Sequence, residues 1–358
     1  MRHILLWIIV LTTLAATACL NAPNQSAGDN SAAGNAPKNN TGRVRIGFSM
    51  DTLKEERWQR DKQLIEKRAA ELGAELSVTV ADGSDDRQTK QVQDLLTKGI
   101  DVLIIAPHNA QVAASSVEAA KKQGVPVISY DRLVKSDNLD LYVSHQVTKI
   151  GEMQAKYALD HAPKGNYIMV YGSSTDNNAL LLKDAQLATL KPAIDRGDVK
   201  IVAEQFASEW KAEEALKIVE NALTQNKNDV VAVVASNDGT AGGAIQALKA
   251  QNLLGKVVVT GQDAELIALQ RIAQGEQTMT IYKPIEPLAY GAVDAAIKLA
   301  KKEAVTTTDK IKAVNREIPS LLFEPRVVDK SNLSDVIKDG YHTAEEIYKN
   351  VPADQKPK

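Results

Sequence analysis

Six apolar runs rich in Val and Ile recur along this chain, and each stops at a short polar cluster: VRIGFSMD, VLIIAPHN, VPVISYDR, IMVYGSSTDNN, VVAVVASND and VVVTGQDAE. A continuous apolar run of strand length, followed by a helical stretch, reads as a parallel strand buried on both faces. In open α/β sheets, ligands bind just beyond the carboxyl ends of such strands. The clusters Asp51, Asn109, Asp131-Arg132, Asp176-Asn177-Asn178, Asn237-Asp238 and Asp263 are therefore expected to gather along one edge.

Between the runs lie stretches with helical periodicity, many stopped by glycine. The spacing predicts strands over Arg43–Met50, Glu75–Val80, Val102–Ala106 and Pro126–Tyr130, separated by helices. A second βαβα series begins after Leu141–Ser144 and runs to strand Thr278–Tyr282, followed by helix Pro287–Lys302 and the extended Ile318–Val328. A single core stops growing near ~250–300 residues, and this chain has 358. The expected fold class is α/β, with two doubly wound parallel-sheet (Rossmann-like) lobes and a cleft between their strand ends. Interdomain clefts of this kind are favoured ligand sites.

The N-terminal segment is of another kind. Met1-Arg2-His3 gives a positive start, Ile4–Leu14 is an apolar stretch short for a membrane span, and Ala15-Ala16-Thr17-Ala18-Cys19 is a small-residue cleavage region. Residues 1–19 thus read as an export signal. The pattern resembles a bacterial lipoprotein lipobox with Cys19 as the acylated residue, although Ala16 stands where leucine is usual. Cys19 is the only cysteine, so no intrachain disulfide forms. Residues 20–41, rich in Asn, Gly, Ser, Ala and Pro without apolar periodicity, read as a flexible tether.

Net charge is −2 with both signs interleaved, and no Lys/Arg block points to nucleic acid. The five histidines never fall at metal-ligand spacing, and no G-x-S-x-G elbow is present. Gly239-Thr240-Ala241-Gly242-Gly243 lacks the Lys-Ser/Thr ending of a phosphate loop, and Asp82–Asp86 lacks the closing glutamate of a calcium loop. Neither a cofactor nor a metal is expected, and a binder fits better than an enzyme.

Two tryptophans remain outside the signal. Trp58 sits in ERWQRD and Trp210 in SEWK, one in each half, each near the start of a helix and embedded in charge. An indole face stacks on the C–H-rich face of a pyranose while polar neighbours take its hydroxyls. Trp58 also stands at helical spacing from Ile65, Ala69 and Leu72, so core packing is the alternative reading for it. A neutral sugar needs rigid, convergent donors and acceptors. The strand-end or helix-start residues that offer them are Arg57, Asp131, Arg132, Asn178, Asn237, Asp263 and Lys283, each of which alone fits a cap or turn.

At these residues the chain takes on a known pattern. ERWQRD, ISYDR, DNNA, SEW, ASNDGTAGGAIQAL, GQDAE and TMTIYKPI, in that order, closely resemble the D-xylose-binding branch of the periplasmic sugar-binding proteins, type I fold. The resemblance spans about 43–341. It implies sugar hydrogen bonding by Arg57, Asp131, Arg132, Asn178, Asn237, Asp263 and Lys283, with Trp58 and Trp210 as stacking walls. It further implies three chain crossings, near Gln146–Lys149, Lys283–Ile285 and Pro319–Glu324. The lobes would then comprise 42–147 plus 285–318 and 148–284 plus 319–341, leaving 342–358 as a tail. The implied role is an exported, lipid-anchored, monomeric receptor that captures a monosaccharide, D-xylose foremost, for an ABC permease and its ATPase. Two other roles fit the residues: a sugar-sensing module for a chemoreceptor or sensor kinase, and a glycosidase built on Asp131 and Asp263.

Overall fold

The computed structural model describes residues 42–352 and 356; Cys19, the signal and the expected tether lie outside the described residues. The chain opens with β1 (Arg45–Met50), α1 (Glu56–Glu71), β2 (Glu75–Val80), α2 (Asp85–Thr97), β3 (Val102–Ile105), α3 (Ala114–Lys122), β4 (Val127–Tyr130) and β5 (Leu141–His145). Strands β1, β3, β4 and β5 are buried almost without interruption, as the unbroken apolar runs require. After α4 (Val147–His161) comes a second series: β6 (Gly165–Tyr171), α5 (Asn177–Asp195), β7 (Val199–Phe206), α6 (Ala212–Gln225), β8 (Ala232–Ala235) and α7 (Asp238–Ala250). It continues through β9 (Val258–Val259), α8 (Leu266–Gln274) and β10 (Met279–Tyr282). The chain ends with α9 (Ile285–Ala300), β11 (Asp309–Lys312), β12 (Glu317–Phe323), β13 (Arg326–Asp329), α10 (Leu333–Lys338) and α11 (Ala344–Ile347).

These strands form two main sheets. The first has the order β11-β12-β5-β4-β3-β1-β2, parallel except for β11. The second, β7-β6-β8-β9, is wholly parallel, and β10 pairs antiparallel with β13 beside it. Each main sheet is sandwiched. Ile46, Phe48, Ile104 and Val143 of the first pack with Ile65 of α1 and Leu288, Ala292 and Val293 of α9, while Leu103, Ile105 and Val127 face Val92, Leu95 and Val117. In the second, Ile168, Val170 and Val233 meet α6 and α7, and Met169, Tyr171 and Val234 meet α4 and α5.

The chain crosses between these bodies at Gln146, at 283–284 and at 324–325, judged by which sheet each flanking strand joins. The expected boundary between 318 and 319 needs correction, because β12 pairs with β5 through Phe323. The tail expected over 342–358 is also corrected. Ile347 and Val351 are buried against Leu269, Tyr282 and Tyr341, so the chain through Val351 completes the second lobe's core. The edge strand β11, DKIK, carried no apolar alternation to announce it; its charge and shortness suit an unprotected sheet edge.

Candidate functional site

Strand ends from both lobes converge on one small chamber. It is lined by all nine expected residues, Arg57, Trp58, Asp131, Arg132, Asn178, Trp210, Asn237, Asp263 and Lys283, together with Glu55, Asp176 and Gln262. Asp176 belonged to an expected strand-end cluster, whereas Glu55 and Gln262 were not singled out. Asn109 does not line it; its side-chain oxygen accepts from the Gln111 and Val112 N–H groups in a turn. Asp51 lines a second, outer chamber that shares Glu55, Arg132 and Trp210 with the inner one.

Backbone strain aims several of these groups. Asp131 (φ 58), Trp210 (φ 57) and Asp263 (φ 102) are non-glycine residues in the left-handed region, where each costs roughly 1–3 kcal/mol unless neighbours hold it. Neighbours do hold Asp131: its carbonyl accepts from Tyr142 Oη at 2.8 Å, Ser144 Oγ at 2.7 Å and Asn178 Nδ2 at 3.1 Å. The first two bonds lock it to its own lobe. The third joins it to α5 of the other, so the lobes are closed on each other in this conformation.

Charge in the chamber is paired. Arg57 forks onto Asp61 one helical turn along α1 (Nε–Oδ2 3.1 Å, Nη2–Oδ1 3.3 Å), and its Nη1 reaches Asp131 Oδ2 at 2.8 Å and Asp263 Oδ1 at 3.6 Å. Tyr130 donates to Asp61 from below. Lys283 lies 2.9 Å from Asp263 and 3.8 Å from Asp131. Burial works to raise the Asp131 carboxyl, but the Arg57 and Lys283 charges beside it outweigh burial and hold it well below the usual carboxylate range. Arg132 pairs with Asp51 of its own lobe at 2.7 Å and with Asp176 of the other at 2.8 Å. Asp176 also accepts the Trp210 indole N–H at 3.2 Å and caps α5 at Asn178 N.

The two indoles differ in setting. Trp58 is both core and lining: it packs with Ile65 and Ala69, while the Arg57 and Arg132 guanidinium carbons lie 4.5 and 5.1 Å from its ring centre. Trp210 rests on Gly172, where an added Cβ would sit 2.2 Å from the ring. Asn237 does what a strand-end asparagine does by default. Its Oδ1 caps α7 through Thr240 N at 2.9 Å, although the residue also lines the chamber. Of the buried acceptors on chamber-lining residues, Asp263 Oδ1 is held by ion pairs alone, while Glu55 Oε2 and Asn178 Oδ1 receive no hydrogen bond from the protein. Among the described residues no group of three His, Cys, Asp or Glu is set to hold a metal ion.

A two-lobed α/β body closed over such a chamber defines a ligand-trapping protein, and the comparisons agree. Residues 46–304 match the periplasmic binding protein domain family. The D-xylose-binding periplasmic protein of Haemophilus influenzae is 48% identical over 306 residues, 85% of this chain and 92% of its own length. Its Escherichia coli counterpart is 46% identical with the same coverage of both chains. Among solved structures, a carbohydrate transporter solute-binding protein from Chloroflexus aurantiacus in complex with D-glucose superposes with a TM-score of 0.80. It is 30% identical, with 86% of this chain and 98% of that one covered. The chain therefore belongs to the periplasmic binding protein family. These relatives and the matching family are substrate-binding proteins and not enzymes, so the glycosidase alternative is set aside.

Proposed function

We propose that this chain is an exported receptor that captures a monosaccharide, foremost D-xylose, between its lobes and hands it to an ABC importer. The observation that carries the reading is the inner chamber in which Trp58, Trp210 and seven polar side chains from both lobes converge. Asp131, kept ionised by Arg57 and Lys283, and Asp263, paired with Lys283, accept from sugar hydroxyls; Arg57, Arg132, Lys283 and the amides of Asn178 and Asn237 donate. Chamber cations are matched by carboxylates, which suits a neutral ligand over a phosphate or a sugar acid. Hydrogen bonds to charged groups contribute about 1.5–3 kcal/mol each, enough for tight capture of a small polar ring. A ligand touching both lobes favours the closed form, and that form is what a permease would read. D-xylose-binding relatives at 46–48% identity support the pentose as first choice.

In this reading Cys19 carries a lipid that anchors the receptor to the membrane surface, with residues 20–41 as tether and a single body as the working unit. Isothermal titration of the mature chain with D-xylose, D-glucose, D-ribose and L-arabinose tests the sugar. Xylose should bind most tightly, and a chain that binds none of the four is no sugar receptor.

A further inference from the structure

Trp210 enters the chamber from a short turn, Ser208–Trp210, in which Glu209 (φ 51) and Trp210 (φ 57) are both left-handed. Two consecutive non-glycine residues in that region cost roughly 1–2 kcal/mol each, so something must hold them. The indole end is held by Asp176 and by the seat on Gly172, both in the second lobe. The backbone end is held from the opposite lobe. Lys54, in the loop between β1 and α1, donates from Nζ to the Glu209 carbonyl at 2.7 Å. Lys54 lines only the outer chamber, as does Glu209. The chain crosses between lobes elsewhere, at Gln146, 283–284 and 324–325. The bond therefore exists only while the lobes are shut.

We propose that Lys54 is a positioning residue that clasps the Trp210 turn on closure, setting how long a bound sugar stays without touching it. The inference rests on the sugar-receptor reading. The ammonium acts on a backbone carbonyl, so the Glu209 side chain, which pairs with Lys211 at 2.7 Å, is dispensable to the clasp. Beyond the other bonds between the lobes, opening breaks this charge-assisted hydrogen bond and frees the strained turn, so the consequence of losing Lys54 falls on dissociation. Association begins from the open form, where no clasp exists.

Stopped-flow tryptophan fluorescence with D-xylose as probe reads both rates. Lys54→Met should raise koff about 3- to 10-fold, the effect of one partly exposed hydrogen bond. It should leave kon within about twofold. Lys54→Arg should restore the slow rate, since a guanidinium can also donate to a carbonyl. In a Trp58→Phe background the emission change reports Trp210 alone, and Lys54→Met should diminish it. Glu209→Gly suits the left-handed backbone and keeps the carbonyl, so K54M should have the same effect in that background. Unchanged koff in K54M, or a K54M effect that disappears with E209G, overturns the clasp. Absence of xylose binding in the unsubstituted chain instead fails the receptor reading itself.

Discussion

Asp131 in the first lobe and Asp238 in the second are both buried aspartates that follow a strand end, and the fold treats them in opposite ways. Asp131 sits among cations, with Arg57 at 2.8 Å and Lys283 at 3.8 Å, and is held far down. Asp238 receives neutral donors: Gln277 Nε2 at 2.8 Å, Thr280 Oγ1 at 2.9 Å and the Glu265 N–H at 3.0 Å. Burial pushes its carboxyl up to about 7; the Arg271 charge works against burial and the Asp263 charge adds to it. Beside it, burial and then the charges of Asp238, Asp263, Glu55 and Glu56 push Glu265 up to about 9. A strand-end carboxylate is thus made into a permanent acceptor only where the fold pairs the carboxylate directly with a cation. Where it does not, the same residue type becomes a structural acid whose charge depends on pH.

The sharpest way to break this contrast is to neutralise each aspartate in turn. Asp131→Asn leaves the Arg57 and Lys283 charges facing an amide in a closed chamber. Removing one partner of a buried pair costs about 3–5 kcal/mol, so xylose affinity should fall at least a hundredfold by titration calorimetry. Asp238→Asn replaces a group that has already lost much of its charge at neutrality, and affinity should stay within about threefold, the scale of a shifted neutral hydrogen bond. Equal losses in the two variants would mean that cation pairing does not separate the roles.

The pH dependence of stability sharpens the same comparison. Glu265 has a folded value of about 9 against an ordinary 4.5, so the folded chain binds more protons than the unfolded chain between those values. Stability must then fall as pH rises through that window. Asp131 has the opposite sign: its contribution is complete above 3.8 and is lost only as pH drops below that. His145, buried at the first crossing and pushed down to about 3 by burial and by Lys283, adds stability as pH rises toward 6.5 and is silent above it. Between pH 7 and 9, urea unfolding of the sugar-free chain should show Glu265→Gln gaining on the unsubstituted chain by about 1 kcal/mol per pH unit. Parallel profiles would show that Glu265 does not carry the extra proton.

How much of this was legible in the sequence follows from the range of each interaction. Strand runs such as VLIIAPHN and VVAVVASND are local signals, and they gave the parallel sheets and the edge where Asp131, Arg132, Asn178 and Asp263 meet. The raised value of Asp238 was not legible, since it comes from burial by segments distant in sequence, among them those of Gln277 and Thr280, 39 and 42 residues away. Nor was the closed pairing of Asn178 with Asp131, which joins two lobes. Glu55 was hidden in plain view within the charged run KEER: periodicity cannot say which carboxylate of such a run turns inward. Ile347 and Val351 sit in a short polar ending whose helix α11 spans only four residues, too few for a periodic signal.

Glu55 itself offers the finest division between the two treatments of carboxylates. It precedes α1 in the first lobe, its side chain is 9% exposed, and Lys54 stands 3.6 Å from Oε1. Its Oε2 is buried and accepts no hydrogen bond from the protein, and the residue lines the chamber. In the receptor reading that oxygen takes a sugar hydroxyl. Glu55→Gln preserves the shape and exchanges one oxygen for a donor, so xylose should bind roughly 3- to 10-fold more weakly, the loss of one partly compensated hydrogen bond. The same change removes a negative neighbour of Glu265, so stability of the sugar-free chain above pH 7 should hold or rise slightly. Weaker binding with undiminished stability is the signature of a ligand acceptor. Unchanged binding with a loss of stability would instead make Glu55 a structural acid like Asp238, and the contrast between the lobes would then stop at the cations around Asp131.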